Sequence, residues 1–131
     1  MMFYCFRRKI RFFFQRLFRG FDDSETWDLE KEFYKWLLPR LKRFKDITKA
    51  CPCNMEYKDW KNMLSDRVAQ LNCIVNIDEN KFQDRSYIPK QEYKKLLKRF
   101  GNSDILNNFA YDWCVNDFNK WFYENIINLW W

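Results

Sequence analysis

A chain of 131 residues fits one domain and leaves no room for a second with its own core. Its 14 Phe, 7 Tyr and 7 Trp within a 47% apolar content supply ample material to bury, and its 32% charge excludes a membrane-embedded chain. Two Gly and three Pro, where average usage gives about nine and seven, remove turn-rich β architectures and favour long helices joined by short loops. The expected fold is all-α: a compact single-domain bundle of about five helices spanning 1–131, with a basic amphipathic helix over 1–20 and a helical body over 21–131.

The first helix carries the charge asymmetry. Residues 1–20 hold Arg7, Arg8, Lys9, Arg11, Arg16 and Arg19 with no acid, whereas the rest of the chain has 18 basic and 18 acidic groups, so the net charge of +6 resides here. Phe3, Phe6, Ile10, Phe13, Phe14, Leu17 and Phe21 share an arc of about 100° on a helical wheel, with Phe12 among the basic residues and Phe18 at the boundary. Gly20 is a natural stop. A basic arm on a neutral body suggests an anionic partner: nucleic acid, an acidic protein surface or anionic lipid. The apolar start meets charge at Arg7, too soon for a signal peptide, so no export is implied.

The acidic turn Asp22-Asp23-Ser24-Glu25-Thr26-Trp27-Asp28 offers carboxylates for a divalent metal, but capping and pairing with the basic helix is the favoured reading. Leu29, Phe33, Trp36, Leu37, Leu41, Phe44 and Ile47 continue a helical stripe to about residue 48, with Pro39 expected to kink or split it. Asn54 is a candidate cap for a third helix through Tyr57, Trp60, Met63, Leu64, Arg67, Val68 and Leu71, ending near Val75. Residues 76–88 read as a loop. Pro89 suits the first position of a short helix over Lys90 to Phe100, closed by Gly101, with Tyr93, Leu96, Leu97 and Phe100 inward. Ser103 or Asp104 starts a final helix running through Trp113 and Trp121 to Leu129 and Trp130. Trp27, Trp36, Trp60 and Trp113 lie in apolar stripes and are expected in the core. Of the terminal pair Trp130 and Trp131, one ring must leave the shared face, and packing under a neighbouring element is favoured over exposure.

The chain has no histidine, which removes His-based acid/base work, Ser/His and Cys/His nucleophiles and mixed Cys/His zinc sites. It also lacks a Gly-rich phosphate loop, a Gly-x-Ser-x-Gly turn and a Walker-type lysine. Five cysteines, Cys5, Cys51, Cys53, Cys73 and Cys114, fit reduced, mostly buried thiols; Cys51 and Cys53 could form half of a zinc site, but Cys73 and Cys114 are single. No enzyme, cofactor or metal is expected. What is left is surface. Three basic segments interleave with Phe12, Phe44 and Tyr93, and the candidate contact residues are Arg7, Arg8, Arg11, Phe12, Arg19, Arg40, Lys42, Arg43, Lys90, Lys94 and Lys98, where Arg and Lys hold phosphates while rings stack or pack.

The strings Gly20-Phe21-Asp22-Asp23-Ser24-Glu25-Thr26-Trp27-Asp28-Leu29 and Leu38-Pro39-Arg40-Leu41-Lys42-Arg43-Phe44-Lys45 together resemble a group of small tailed-phage proteins of unassigned function. In those proteins a basic aromatic helix precedes such a turn and a Leu-Pro-Arg-Leu-Lys helix. Asp59-Trp60 and the closing Asn128-Leu129-Trp130-Trp131 are also similar. The likeness covers residues 7–64 and the last dozen; residues 72–101 match nothing in it, and no catalytic residue carries over. It implies phage or prophage origin and action in a bacterial host cytoplasm. Small basic phage proteins of this type imply a non-enzymatic anti-CRISPR inhibitor, acting as a monomer or weak homodimer on a type VI RNA-guided RNase or on its guide RNA, with no membrane partner expected. The alternatives are a phage structural or replication accessory protein, or a basic amphipathic protein of the membrane surface.

Overall fold

The computed structural model describes residues 2–130, and every regular element in it is helical. Five α-helices follow in chain order: α1 (Met2–Arg19), α2 (Leu29–Ile47), α3 (Tyr57–Asn76), α4 (Lys90–Phe100) and α5 (Ile105–Asn125), with 3-10 turns at Asp23–Thr26, Glu79–Lys81 and Ile126–Asn128. The all-α class and the helix number are those expected. No helix among the described residues is long and apolar enough to cross a membrane. The chain divides into two compact units, one up to Trp36 and one from Leu37 onward.

The second unit is built on α3 and α5. Trp60, Leu64, Val68 and Leu71 recur at helical spacing on α3 and are buried, as are Leu106, Ala110, Cys114, Phe118 and Trp121 on α5. Trp60 and Trp121 meet at 6.5 Å between ring centroids, and Phe118 lies 5.9 Å from Trp121. The Trp121 indole N–H points at the Met63 sulfur, 3.0 Å away. α5 touches α3, α4 and the turn Glu79–Lys81, and its apolar residues accordingly spread over several faces instead of one stripe.

The loop expected over 76–88 holds more than a connection. Phe82 and Ile88 are buried, and the turn Glu79–Lys81 packs on α5. Arg85 donates to Asn102 Oδ1 (2.5 Å) and Asn107 Oδ1 (3.2 Å), while the Asn107 amide donates to the Asn80 carbonyl at 2.9 Å. The buried Asn107 thereby meets its hydrogen-bonding need through the loop that covers it.

Local signals set several boundaries, with corrections. Gly101 takes a φ of +67° and returns its N–H to Leu97 at 2.8 Å, a conformation only glycine adopts cheaply. Pro89 stands one place earlier than expected, as the N-cap whose carbonyl accepts from Tyr93. α2 runs unbroken through Pro39, which is exposed, while neighbouring Leu37, Leu38 and Leu41 are buried and hold the helix. Asn54 does not cap α3: a turn closed by the Met55 N–H on the Pro52 carbonyl (3.1 Å) consumes those residues, and the helix starts after Glu56. The final helix stops at Asn125, whose side chain bonds back to the Trp121 carbonyl at 2.9 Å. Leu129 and Trp130 therefore lie beyond α5, Trp130 is exposed, and Trp131 is outside the described residues.

Burial also corrects the aromatic core. Trp60 is fully buried and Trp113 half-buried, whereas Trp27 and Trp36 are 69% and 52% exposed. Of the cysteines only Cys114 is buried, and burial pushes its thiol up to about 11; Cys5 and Cys53 are exposed. Among the described residues no His/Cys/Asp/Glu group is arranged to hold a metal.

Candidate functional site

The first unit is assembled by charge. Gly20, at a φ of +85°, reverses the chain after α1 and closes it with an N–H to the Arg16 carbonyl at 3.0 Å. Asp22 then caps the turn Asp23–Thr26: its Oδ1 accepts from the Ser24 N–H (2.8 Å) and the Ser24 hydroxyl, and the Glu25 carboxylate accepts from the Asp22 N–H at 2.6 Å. This is a reciprocal capping box, written in the sequence as Asp-x-x-Glu.

The capped turn lies on α1. Asp22 Oδ2 meets Arg16 Nε at 2.9 Å. Asp23 Oδ2 accepts from Arg11 Nη2 and Gln15 Nε2, both at 2.8 Å, and its Oδ1 accepts from Arg19 Nη2 at 2.5 Å. Gln15 Oε1 takes the Asp23 N–H in return at 2.9 Å. Arg19 also lies 4.6 Å over the Phe21 ring, and Phe12 meets Trp27 edge to face at 6.0 Å. Capping and pairing, the favoured duty of the acidic turn, is what it performs.

The same contacts hold both carboxyls below the usual range. For Asp22 the main cause is the Ser24 hydroxyl, with the Ser24 and Glu25 N–H groups and Arg16 adding to it; for Asp23 it is the Gln15 amide, followed by Arg19 and Arg11. A depressed folded pKa stabilises the clamp above the ordinary value of 3.8 and releases it as pH falls through the lower folded values. Between pH 7 and pH 4, Trp27 fluorescence is expected to hold constant. It should change only below about pH 4, and Asp23→Asn should remove much of that change.

Arg7, Arg8, Arg11 and Phe12 come together, with Tyr4, Ile10, Asp23 and Trp27, around an open groove of about 820 Å³. Among the described residues Arg7, Arg8 and Lys9 make no ion pair, while Arg11, Arg16 and Arg19 are committed to the turn. Arg19 is therefore a clamp residue, not a free cation, and Phe12, on the basic side of the helix as expected, is half-covered by Trp27. The groove can take an anionic group on Arg7 and Arg8, with the edges of Phe12 and Trp27 as an apolar wall.

The remaining basic candidates belong to the second unit. Arg40, Lys42 and Arg43 are exposed on the second half of α2, and Lys90, Lys94 and Lys98 are exposed along α4. Phe44 and Tyr93, expected between them, are half-buried. Sequence reasoning missed Trp27, Tyr4 and Gln15 as members of the site. Gln15 was within reach, since it stands four residues from both Arg11 and Arg19 on the same side of the helix. Compared with known proteins, the chain matches no family model, no curated protein and no solved structure.

Proposed function

We propose that this is a non-enzymatic phage-encoded binding protein, an anti-CRISPR inhibitor that engages an RNA-guided nuclease effector or its guide RNA through α1. The observation that carries the reading is the groove in which Arg7 and Arg8, without an ion pair among the described residues, stand beside Phe12 and Trp27. A phosphate-bearing or carboxylate-rich partner finds two guanidiniums there, already aligned by a helix whose other arginines are fixed by Asp22 and Asp23.

The test is affinity capture from a phage-infected host lysate, with and without RNase, followed by titration of the captured nuclease. The expected result is recovery of an effector with its guide and inhibition complete near one inhibitor per effector. Recovery of virion or replication proteins alone, or full inhibition far below that ratio, overturns it. In direct binding to the guide RNA, Arg7→Glu with Arg8→Glu should flatten the log-log salt dependence by roughly 0.7 for each phosphate that is no longer neutralised. An unchanged slope removes the groove from the interface.

A further inference from the structure

α1 turns the usual arrangement of an amphipathic helix around. A helix of a globular unit ordinarily lays its apolar stripe on the core and leaves its charged face to water. Here the chain's own turn is clamped to the charged face, through Arg11, Gln15, Arg16 and Arg19, and α1 buries none of its residues. Phe3, Phe6, Phe13 and Leu17 are 82%, 61%, 58% and 63% exposed. Phe14 and Ile10 complete the stripe and are also exposed, and Met2 and Phe18 widen it at its edges.

The borders of this face are cationic. On a wheel of 3.6 residues per turn, Arg7 lies about 20° beyond Phe14 on one side and Lys9 about 40° beyond Phe13 on the other. Both are exposed, and neither makes an ion pair among the described residues. From this juxtaposition we infer that the apolar face of α1 docks on an anionic lipid bilayer, the helix lying in the plane of the interface while Arg7 and Lys9 reach headgroup phosphates from its two edges.

Charge selects this occupant. A second copy would set Arg7 and Lys9 against cations of its own helix, because residues 1–20 contain no acid to answer them. A neutral apolar groove would leave both cations without use. A bilayer surface accepts a broad convex row of rings and supplies phosphates along both borders, where long basic side chains extend readily. The face shares Arg7 and Ile10 with the rim of the groove, but its apolar stripe through Phe3, Phe6, Phe13, Phe14 and Leu17 lies outside it, and the inference does not rest on the nuclease reading.

The 131-residue chain is to be floated with vesicles of phosphatidylcholine alone and with vesicles holding about one part phosphatidylglycerol in four. Strong flotation with the anionic vesicles and weak flotation with the neutral ones is expected. Phe13→Ser with Leu17→Ser should weaken partitioning at least about tenfold with an unchanged far-ultraviolet circular dichroism spectrum, since both side chains are exposed. Arg7→Ala and Lys9→Ala should each weaken it about fivefold, and Lys58→Ala with Lys120→Ala, at exposed positions of the second unit, should leave it unchanged. Equal partitioning to both vesicle types, or wild-type partitioning of the double serine variant, overturns the inference. So does absence of flotation together with a concentration-dependent dimer that the serine variant abolishes, which assigns the face to a second copy, or with RNase-sensitive retention, which assigns it to RNA. Arg8→Glu separates the two readings: it should lower effector capture while sparing vesicle binding.

Discussion

Replacing Trp60 by alanine is expected to remove about 3 to 5 kcal/mol of unfolding free energy, about a fifth or more of the roughly 5 to 15 kcal/mol that holds a folded domain. Trp60 is fully buried in the seam between α3 and α5, with Trp121 beside it. The indole N–H has no acceptor among the described residues, so part of what Trp60 contributes through apolar area is offset by an unpaired donor. Trp60→Phe removes that donor together with some area, and its destabilisation should stay near 1 kcal/mol, or about a third of the alanine effect. Trp27→Ala, by contrast, should cost about 1 kcal/mol or less, since it gives up one edge-to-face ring pair on a largely exposed side chain. Urea unfolding followed by far-ultraviolet circular dichroism gives all three values. A Trp60→Ala effect no larger than that of Trp27→Ala would remove α3 and α5 as the centre of the core.

That contrast marks the limit of periodicity as a guide. The spacing of Phe3, Phe6, Ile10, Phe13 and Leu17 tells which residues share a face, and so does the spacing of Trp60, Leu64, Val68 and Leu71; only the second face is covered. The difference lies in what the chain brings against each helix, which no window of sequence contains. Trp36 belongs to a well-formed stripe of α2 and is exposed for the same reason, while Trp27 stands in the turn before α2, outside any helix, and is exposed as well. Features decided within a few residues are legible: Gly20 and Gly101 as stops, the turn beginning at Asp22, and the pairing of acidic turn with basic helix across 12 residues or fewer. Which arginines the turn consumes is not legible, because that depends on the path of the chain through Gly20. Arg7 and Arg8 stay available and Arg19 does not, although composition treats the three alike.

The least legible feature is the polar node that joins α3 to α5 across more than 40 residues of sequence. Gln70 is 5% exposed. Its amide N–H groups donate to the Cys114 carbonyl and to Asp117 Oδ2, both at 3.0 Å, and its Oε1 accepts from Arg67 Nη1 at 2.7 Å. The same guanidinium reaches Asp117 Oδ2 at 2.6 Å and lies 5.5 Å from the Trp121 ring centroid. A single amide therefore orients both members of an ion pair, at the point where Arg67, placed on the apolar stripe of its helix, would otherwise bring a charge to the core edge. Gln70→Ala should cost about 2 to 3 kcal/mol, combining hydrogen bonds to charged groups with the volume removed. Asp117→Ala should leave Arg67 half-buried without its carboxylate. If the three residues act as one unit, the double variant Gln70→Ala with Asp117→Ala will be less destabilised than the two single effects together, by roughly 1 kcal/mol or more. Strict additivity in that cycle would mean that Gln70 acts by filling space alone. Because the Arg67 pair is a charge contact at the core edge, the Gln70→Ala effect should also persist in high salt, where an exposed pair such as Lys95 with Glu92 would already be screened.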